Sequence, residues 1–146
     1  MTVSLHLTAT PDPAEEAAAR GALREANAEA GFPHDSRPLC VLLRDGQGQV
    51  VGGLVGRTGW SWLYAENLAV PPALRGAGWG QRLLAAAEAE ARARFCIGAR
   101  LDTYTFQARG FYEKQGYRVV GTIPDCPPGQ TRFTMIKRLD AGEETR

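Results

Sequence analysis

The chain has 146 residues, of which 44% are hydrophobic and 23% are charged, values that fit one globular domain and exclude disorder over most of its length. Its net charge of +1 gives no electrostatic reason to expect a nucleic acid or an anionic membrane as a partner. No apolar run reaches the length of a membrane span, and the three cysteines (Cys40, Cys96 and Cys126) match no zinc motif, so we expect a cytoplasmic protein with reduced thiols and no metal.

The first thirty residues predict a strand followed by a helix. Apolar and polar side chains alternate over residues 2–9, which is typical of a short strand. Residues 14–30 are rich in Ala, Glu and Arg, which favour a helix. Asp12 and Pro13 fit the N-cap and the first position of this helix.

Residues 38–70 predict a three-stranded meander. Two apolar runs around an Asp-Gly-Gln-Gly turn predict a β-hairpin over residues 38–56. A second turn is predicted at residues 57–59, and a third strand over residues 60–70. Alternation on this third strand would place four side chains on one face: Trp62, Tyr64, Glu66 and Leu68.

Beyond residue 78 the pattern alternates between helices and strands. Residues 79–95 predict a helix with an apolar stripe that ends at Phe95, and residues 107–115 predict a shorter helix ended by Gly116. The remaining strands are predicted over residues 100–105, 117–123 and 131–139. Residues 140–146 form a polar tail that we expect to fray.

A glycine-rich turn connects the third strand to the second helix. Gly76, Gly78 and Gly80 lie at alternate positions, and glycine lets a ligand approach the backbone closely. The N–H groups that begin a helix have no intrahelical partner, so such a turn favours an anion, most often a phosphate. The spacing matches neither a P-loop nor a dinucleotide-binding fingerprint, and a plain loop is the alternative interpretation.

Two motifs carry a resemblance to a known family. Arg75-x-x-Gly78-x-Gly80 resembles the pyrophosphate-binding signature of the GNAT superfamily of acyl-CoA-dependent N-acetyltransferases. The stretch Phe111-Tyr112-Glu113-Lys114-Gln115-Gly116-Tyr117 is similar to the family's C-terminal motif, and the predicted order of elements also agrees. The resemblance implies an α/β fold in a single domain over residues 1–139, with a mixed central sheet of about six to seven strands flanked by helices on both faces.

The resemblance also implies an activity. A GNAT enzyme transfers an acetyl group from acetyl-CoA to a primary amine by direct attack in a ternary complex, and the modest size and charge of this chain favour a small-molecule amine. Acetylation of a protein amine is an alternative, as are an acyl-CoA-binding regulatory module without turnover and a purely structural interaction domain. The family is compatible with a homodimer, although no sequence feature establishes one.

Most of the implied site residues bind the cofactor. The backbone of Leu68, Ala69 and Val70 would pair with the pantetheine arm, and the glycine-rich turn would hold the pyrophosphate through Arg75, Gly76, Ala77, Gly78, Trp79, Gly80 and Gln81. Many family members have an asparagine that contacts pantetheine where this chain has Thr105. Gln107 is close enough in sequence to substitute for it.

The implied catalytic residues are Tyr112 and Glu66. Tyr112 would donate a proton to the departing thiolate, unless it is only a core tyrosine. Glu66 would be the general base, although a solvated or ion-paired glutamate is the alternative and some family members use water alone. Candidates for the amine-binding cleft are Trp62, Tyr64 and Asp102, with Trp60, His34 and Asp125 as further possibilities.

Overall fold

The computed structural model describes residues 1–140, which fall into two compact units, residues 1–34 and the residues from Asp35 onward. None of the helices among these residues is long and apolar enough to cross a membrane. The predicted tail lies outside the described residues except for Asp140. The boundaries of a single domain over residues 1–139 stay a prediction.

The first unit contains helix α1, Pro13–Glu29. Asp12 is its N-cap, and a capping box forms because the Asp12 carboxylate accepts a hydrogen bond from the Glu15 N–H at 2.8 Å while the Glu15 carboxylate accepts one from the Asp12 N–H at 3.0 Å. Gly31 follows the helix with a φ of 98°. The helix prediction is confirmed.

The strand predicted over residues 2–9 does not form. These residues have no regular structure, and Val3, Leu5 and Leu7 are exposed. Alternation only shows that a segment fits a sheet, and a strand also requires a neighbour that supplies hydrogen bonds. The prediction of this strand is therefore wrong.

The described part of the second unit, residues 35–140, forms a six-stranded mixed sheet with two helices, which confirms the predicted α/β class. The spatial order is β1-β2-β3-β4-β6-β5, and all neighbours are antiparallel except the parallel pair β3 and β4. The strands are β1 Arg37–Arg44, β2 Val50–Gly59, β3 Trp62–Ala69, β4 Gly98–Tyr104, β5 Arg118–Pro124 and β6 Thr131–Arg138. The helices are α2 Trp79–Ala93 and α3 Arg109–Lys114, with a 3₁₀ turn at Pro72–Leu74.

The connection between β2 and β3 differs from the prediction. Residues 57–59 continue β2, and the turn consists of Trp60 and Ser61, which have φ values of 47° and 68°. Two successive positive φ angles are typical of a tight hairpin turn, whose twist matches that of the strands. The pair Trp-Ser gives no sequence signal for such a turn, and Gly59 gives a misleading one.

Helix α2 packs its apolar face on β1, β2 and β3. Leu83, Leu84, Ala87 and Ala91 of this face are buried, as predicted. Phe95 is the exception, because the chain reverses there with a φ of 66° and leaves the ring 87% exposed. Cys96 is buried in the core instead, so the predicted stripe is wrong at its last position.

A buried ion pair connects α2 to the far part of the sheet. Glu88 is 5% exposed. Its carboxylate accepts hydrogen bonds from Lys137 Nζ at 2.9 Å and from the Tyr117 hydroxyl at 2.7 Å. Burial and the adjacent carboxylate raise the pKa of Tyr117, so its hydroxyl stays a donor. The three residues therefore connect α2, β6 and the start of β5.

Candidate active site

Strand β3 contains a β-bulge at Glu66. Gly56 of β2 pairs with Ala65, whereas the preceding residue Val55 pairs with Asn67, so Glu66 is an extra residue without a partner on β2. A bulge bends the strand and redirects the residues that follow it.

The bulge also shifts the alternation of side chains. Leu63 and Ala65 are buried in the core, and beyond the bulge Leu68 packs against the same core. The prediction that Leu68 shares a face with Trp62, Tyr64 and Glu66 is therefore wrong, because the sequence does not reveal the extra residue.

Beyond the bulge, β3 and β4 separate. The parallel ladder joins residues 62–65 to residues 98–101 and ends there, although β3 continues to Ala69 and β4 to Tyr104. The edge of β3 that faced β4 therefore presents its backbone groups to the gap. A cleft of about 1090 Å³ lies at this point.

Most of the predicted cofactor-binding and catalytic residues and the first three amine-binding candidates line this cleft, and three of this set do not. Those that line it are Tyr64, Glu66, Leu68, Ala69, Val70, Arg75, Gly76, Gly78, Trp79, Gly80, Gln81, Asp102, Gln107 and Tyr112. Trp62, Ala77 and Thr105 are not part of its wall.

The glycine-rich turn forms one end of the cleft. Gly76 and Gly78 have φ values of 83° and 84°, which side-chain-bearing residues rarely adopt, and apart from each glycine and its local backbone no atom of the described residues lies within 4 Å of where a Cβ would be. Gly78 is the N-cap of α2, and no side chain caps that helix among residues 1–140. The first N–H groups of α2 are thus available to an anion.

Arg75 and Trp79 have local partners that the sequence does not show. The Arg75 guanidinium donates a hydrogen bond through Nε to the Val70 carbonyl oxygen at 2.9 Å, which fixes the path from β3 into the turn. The Arg82 guanidinium lies 4.0 Å from the centroid of the Trp79 ring. The two cationic side chains near the turn are therefore those of Arg75 and Arg82, and each has a local partner.

Tyr112 lies on α3 and reaches the cleft. Its ring packs edge-to-face against Phe111 at 5.1 Å and Tyr117 at 6.1 Å, which fixes its position. Burial raises the pKa of Tyr112, so the hydroxyl stays protonated at neutral pH. No hydrogen bond to this hydroxyl occurs among residues 1–140, which leaves it able to donate to a ligand.

Glu66 has a charged partner. The bulge directs its side chain to the cleft wall, where the carboxylate is 34% exposed and forms an ion pair with Arg57 of β2. Arg57 also lies 5.2 Å from the centroid of the Tyr64 ring. The alternative interpretation, that Glu66 is ion-paired, is thus confirmed. To act as a base, the Glu66 carboxylate would have to receive a proton while it is paired with Arg57.

Asp102 is the centre of a polar cluster. Its carboxylate accepts hydrogen bonds from the Tyr64 hydroxyl at 2.7 Å, from Arg132 at 2.7 Å and from the Thr134 hydroxyl at 3.0 Å. Burial alone would raise the pKa of Asp102, but the three hydrogen bonds outweigh it and hold the pKa below its usual value. Burial and the hydrogen bond to Asp102 raise the pKa of Tyr64.

Thr105 and Gln107 have different positions. Thr105 lies outside the cleft wall: its hydroxyl donates to Gln130 Oε1 and accepts from the Thr131 N–H at 3.2 Å. Gln107 lines the cleft. Of the two candidates for the pantetheine contact, only Gln107 therefore has its side chain at the cleft.

Several candidates for amine binding lie elsewhere. The Trp62 ring packs across Gly98, where an added Cβ would be 2.5 Å away. The Trp60 N–H donates to Asp35 at 2.9 Å, and the Asp125 carboxylate accepts from the Gly129 N–H at 3.1 Å. His34 is an exposed residue of the first unit.

The cleft also contains residues that sequence reasoning missed. Tyr104 and Phe106 line it with stacked rings whose centroids are 5.3 Å apart, and Arg132 contacts Asp102. Alternation from Asp102 would have indicated Tyr104. Arg132 depends on the pairing of β4 with β6, which no local signal reveals. No group of three or more His, Cys, Asp or Glu residues among residues 1–140 is placed to hold a metal ion.

The mixed sheet and the cleft between β3 and β4 are those expected of an acyltransferase. Comparison with known proteins identifies the family. The family model described as "Acetyltransferase (GNAT) domain" matches residues 35–119. The blasticidin-S acetyltransferase of Streptomyces morookaense is 50% identical over 109 residues, which cover 72% of this chain and 80% of that protein. The chain therefore belongs to the GNAT acetyltransferases, and it is an N-acetyltransferase.

Solved structures agree with this assignment. A protein from Agrobacterium tumefaciens assigned as an acetyltransferase superposes with a TM-score of 0.85 at 39% identity, covering 93% of this chain and 99% of that one. An aminoglycoside 6'-N-acetyltransferase solved in complex with coenzyme A has a TM-score of 0.64 at 21% identity, covering 73% of this chain and 76% of that one. The second likeness shows a shared fold.

Proposed function

We propose that the protein transfers the acetyl group of acetyl-CoA to a primary amine of a small molecule, by direct attack in a ternary complex. The observation that carries this proposal is the gap between β3 and β4. One cleft combines a strand edge with open hydrogen-bonding groups, an uncapped helix start behind a glycine-rich turn, and a protonated tyrosine.

The cofactor binds along this cleft. The backbone N–H groups of residues 76–81 hold the pyrophosphate, which suits the positive end of α2. The backbone of Leu68, Ala69 and Val70 pairs with the amides of pantetheine as an added strand, since these residues line the cleft beyond the end of the β3–β4 ladder. The thioester carbonyl then lies near the Val70 N–H, which stabilises the oxyanion.

The chemical step has three parts. The neutral amine attacks the thioester carbon and forms a tetrahedral intermediate; its nitrogen loses the extra proton to water, and its C–S bond then breaks. The departing thiolate takes a proton from the Tyr112 hydroxyl, directly or through one water molecule, and the phenolate recovers it from solvent. The products are an N-acetyl amide and free CoA.

Glu66 is the proposed general base for the ammonium form of the acceptor. Its carboxylate lies at the cleft wall on the strand that binds the cofactor. A water molecule would carry the proton, because the carboxylate also contacts Arg57. The pairing is compatible with base catalysis only if the carboxylate keeps an oxygen for that water.

The first acceptor to test follows from the named relative. The 50% identical relative is named for blasticidin S, so blasticidin S is the first acceptor to test. Tyr64 and Asp102 lie in the cleft wall, but all three hydrogen bonds of Asp102 are to the protein's own side chains. We therefore propose that Asp102 shapes the acceptor site through Tyr64 and Arg132.

The test is an acceptor screen that follows thiol release from acetyl-CoA and confirms the acetylated product by mass spectrometry. The panel contains blasticidin S, an aminoglycoside, a polyamine and a peptide with a free lysine. We expect release with a small-molecule amine and none with the peptide. Binding of acetyl-CoA without release for any amine would favour a regulatory module, and absence of binding would leave a structural domain.

A further inference from the structure

The oxygen and the nitrogen of the Gln107 side-chain amide have different environments. Its Oε1 accepts a hydrogen bond from Thr103 Oγ1 at 3.2 Å, and its side chain lines the cleft. Its Nε2 donates to no group among residues 1–140. Two N–H donors are therefore available at the cofactor cleft.

Thr103 explains this orientation. It is the buried threonine of β4, 1% exposed, and it follows Ala99 and Leu101 on the core face of the strand. A buried hydroxyl without a partner is costly, so Thr103 needs the Gln107 oxygen. The backbone N–H of Gln107 donates to the Tyr104 carbonyl oxygen at 2.9 Å, which closes the turn and brings the side chain back to β4.

Thr105 is committed elsewhere. Its hydroxyl donates to Gln130 and accepts from the Thr131 backbone, so it joins the end of β4 to β6. The position at which the family pattern has an asparagine is thus structural in this chain, and the donor role is open to Gln107.

We propose that Thr103 is a positioning residue that holds the Gln107 amide with its nitrogen towards the cleft, so that Nε2 donates to a carbonyl oxygen of the pantetheine arm. This inference rests on the proposed function, because it requires CoA in the cleft. It adds to that function a specific donor and the buried hydroxyl that orients it.

Two matched substitutions separate the hydrogen bond from packing. Thr103→Val keeps the volume and removes the hydroxyl, whereas Thr103→Ser keeps the hydroxyl and removes a methyl group. We expect Thr103→Val to raise the Kd of CoA about threefold to tenfold, the range of one neutral hydrogen bond. Thr103→Ser should bind CoA like the wild type. If packing were decisive, Thr103→Ser would be the weaker binder.

Gln107→Leu provides a test on an exposed side chain; it leaves the buried Thr103 hydroxyl without its partner, whereas the double variant does not. It should weaken CoA binding by a similar factor, and the double variant Thr103→Val with Gln107→Leu should match Gln107→Leu alone, because both changes remove one linked interaction. Adenosine 3',5'-bisphosphate, which lacks pantetheine, is the control ligand. Its Kd should be the same for all variants.

Calorimetric titration of the full chain with both ligands distinguishes the outcomes. Equal CoA affinity in the wild type, Thr103→Val and Gln107→Leu would overturn this inference and leave the proposed function intact. Equal loss of affinity for CoA and for adenosine 3',5'-bisphosphate would also overturn it, since the contact would then be to the nucleotide. Failure of the wild type to bind CoA would overturn both.

Discussion

Tyr112 combines a fixed ring with a hydroxyl that no described residue uses. Burial raises the pKa of Tyr112, so the hydroxyl is protonated when the thiolate leaves. We expect Tyr112→Phe to lower kcat roughly 100-fold, the lower end of what a general acid contributes, with little change in the Kd of acetyl-CoA. Steady-state kinetics and titration measure the two quantities. Tyr117→Phe, whose hydroxyl lies outside the cleft and donates to Glu88, is the control, and an unchanged kcat in Tyr112→Phe would remove the role.

Glu66 makes a different prediction, because a base is inactive when protonated. Activity that depends on the ionised carboxylate falls on the acidic side of the pH–rate profile. We expect Glu66→Gln to lose this acidic limb and to be slower at neutral pH. Glu90→Gln, which changes an exposed carboxylate of α2 paired with Arg94, serves as the control. The same profile in the wild type and Glu66→Gln would leave water as the base.

Asp102 links the polar cluster to stability. Hydrogen bonds from Arg132, Tyr64 and Thr134 lower the pKa of Asp102 from its ordinary value of 3.8 despite burial. A carboxyl group with a lowered pKa stabilises the folded state at pH values above its ordinary pKa. This contribution is lost as the pH falls to the pKa of the folded state. We expect Asp102→Asn to cost about 1–3 kcal/mol of unfolding free energy at neutral pH.

The same measurement at lower pH completes that prediction. The difference between the wild type and Asp102→Asn should shrink as the pH drops below about 4, where the carboxylate of the unfolded wild-type chain takes up a proton before that of the folded protein does. Urea unfolding at several pH values measures it. A difference that stays constant over this range would show that the ionised carboxylate contributes nothing.

The sequence predicts a residue's position in the cleft where a motif includes it, and does not where the pairing of strands decides the position. Gly78 and Tyr112 belong to short local patterns, so the sequence locates both. Trp62 and Tyr64 have the same alternation on β3, yet only Tyr64 lines the cleft, because Trp62 packs across Gly98. The contact of Arg132 with Asp102 arises from two strands that are neighbours only in the folded sheet.

At the scale of elements, the bulge in β3 matters most for function. It adds one residue at Glu66, and the β3–β4 ladder ends immediately before it. The strands and helices of the second unit follow from local patterns, apart from their ends and the Trp60-Ser61 turn. The bulge does not, because an extra residue changes no composition and only shifts which side chains face the core.

The ion pair between Glu88 and Lys137 joins α2 to β6, and we expect it to contribute to stability. Removing one partner leaves a buried carboxylate without its cation, so we expect Lys137→Met to lower the unfolding free energy by about 3 kcal/mol. Glu113→Gln breaks the exposed pair with Arg109, whose atoms are 3.8 Å apart, and should cost less than about 0.5 kcal/mol. Urea unfolding compares them. Equal effects would show that burial of Glu88 gives the pair no special weight.

At the scale of the whole molecule, fold class and family could be read from the order of elements together with two motifs. The N-terminal strand could not, because its alternation is real but no sheet hydrogen bonds form there. Acceptor chemistry could not be read either, since the residues that line that part of the cleft come from separate strands and loops.

Calorimetric titration of the wild type, Gly78→Glu and Gly48→Glu with acetyl-CoA tests whether the glycine-rich turn binds the pyrophosphate. Gly48 is the matched control: it has a φ of 80° and open surroundings, like Gly78, but it lies in the β1–β2 turn outside the cleft. We expect the wild type and Gly48→Glu to bind alike and Gly78→Glu to bind about tenfold more weakly or worse, because a side chain and a negative charge would meet the pyrophosphate. Equal affinities for all three proteins, or no binding by the wild type, would contradict the proposed acetyl-CoA site.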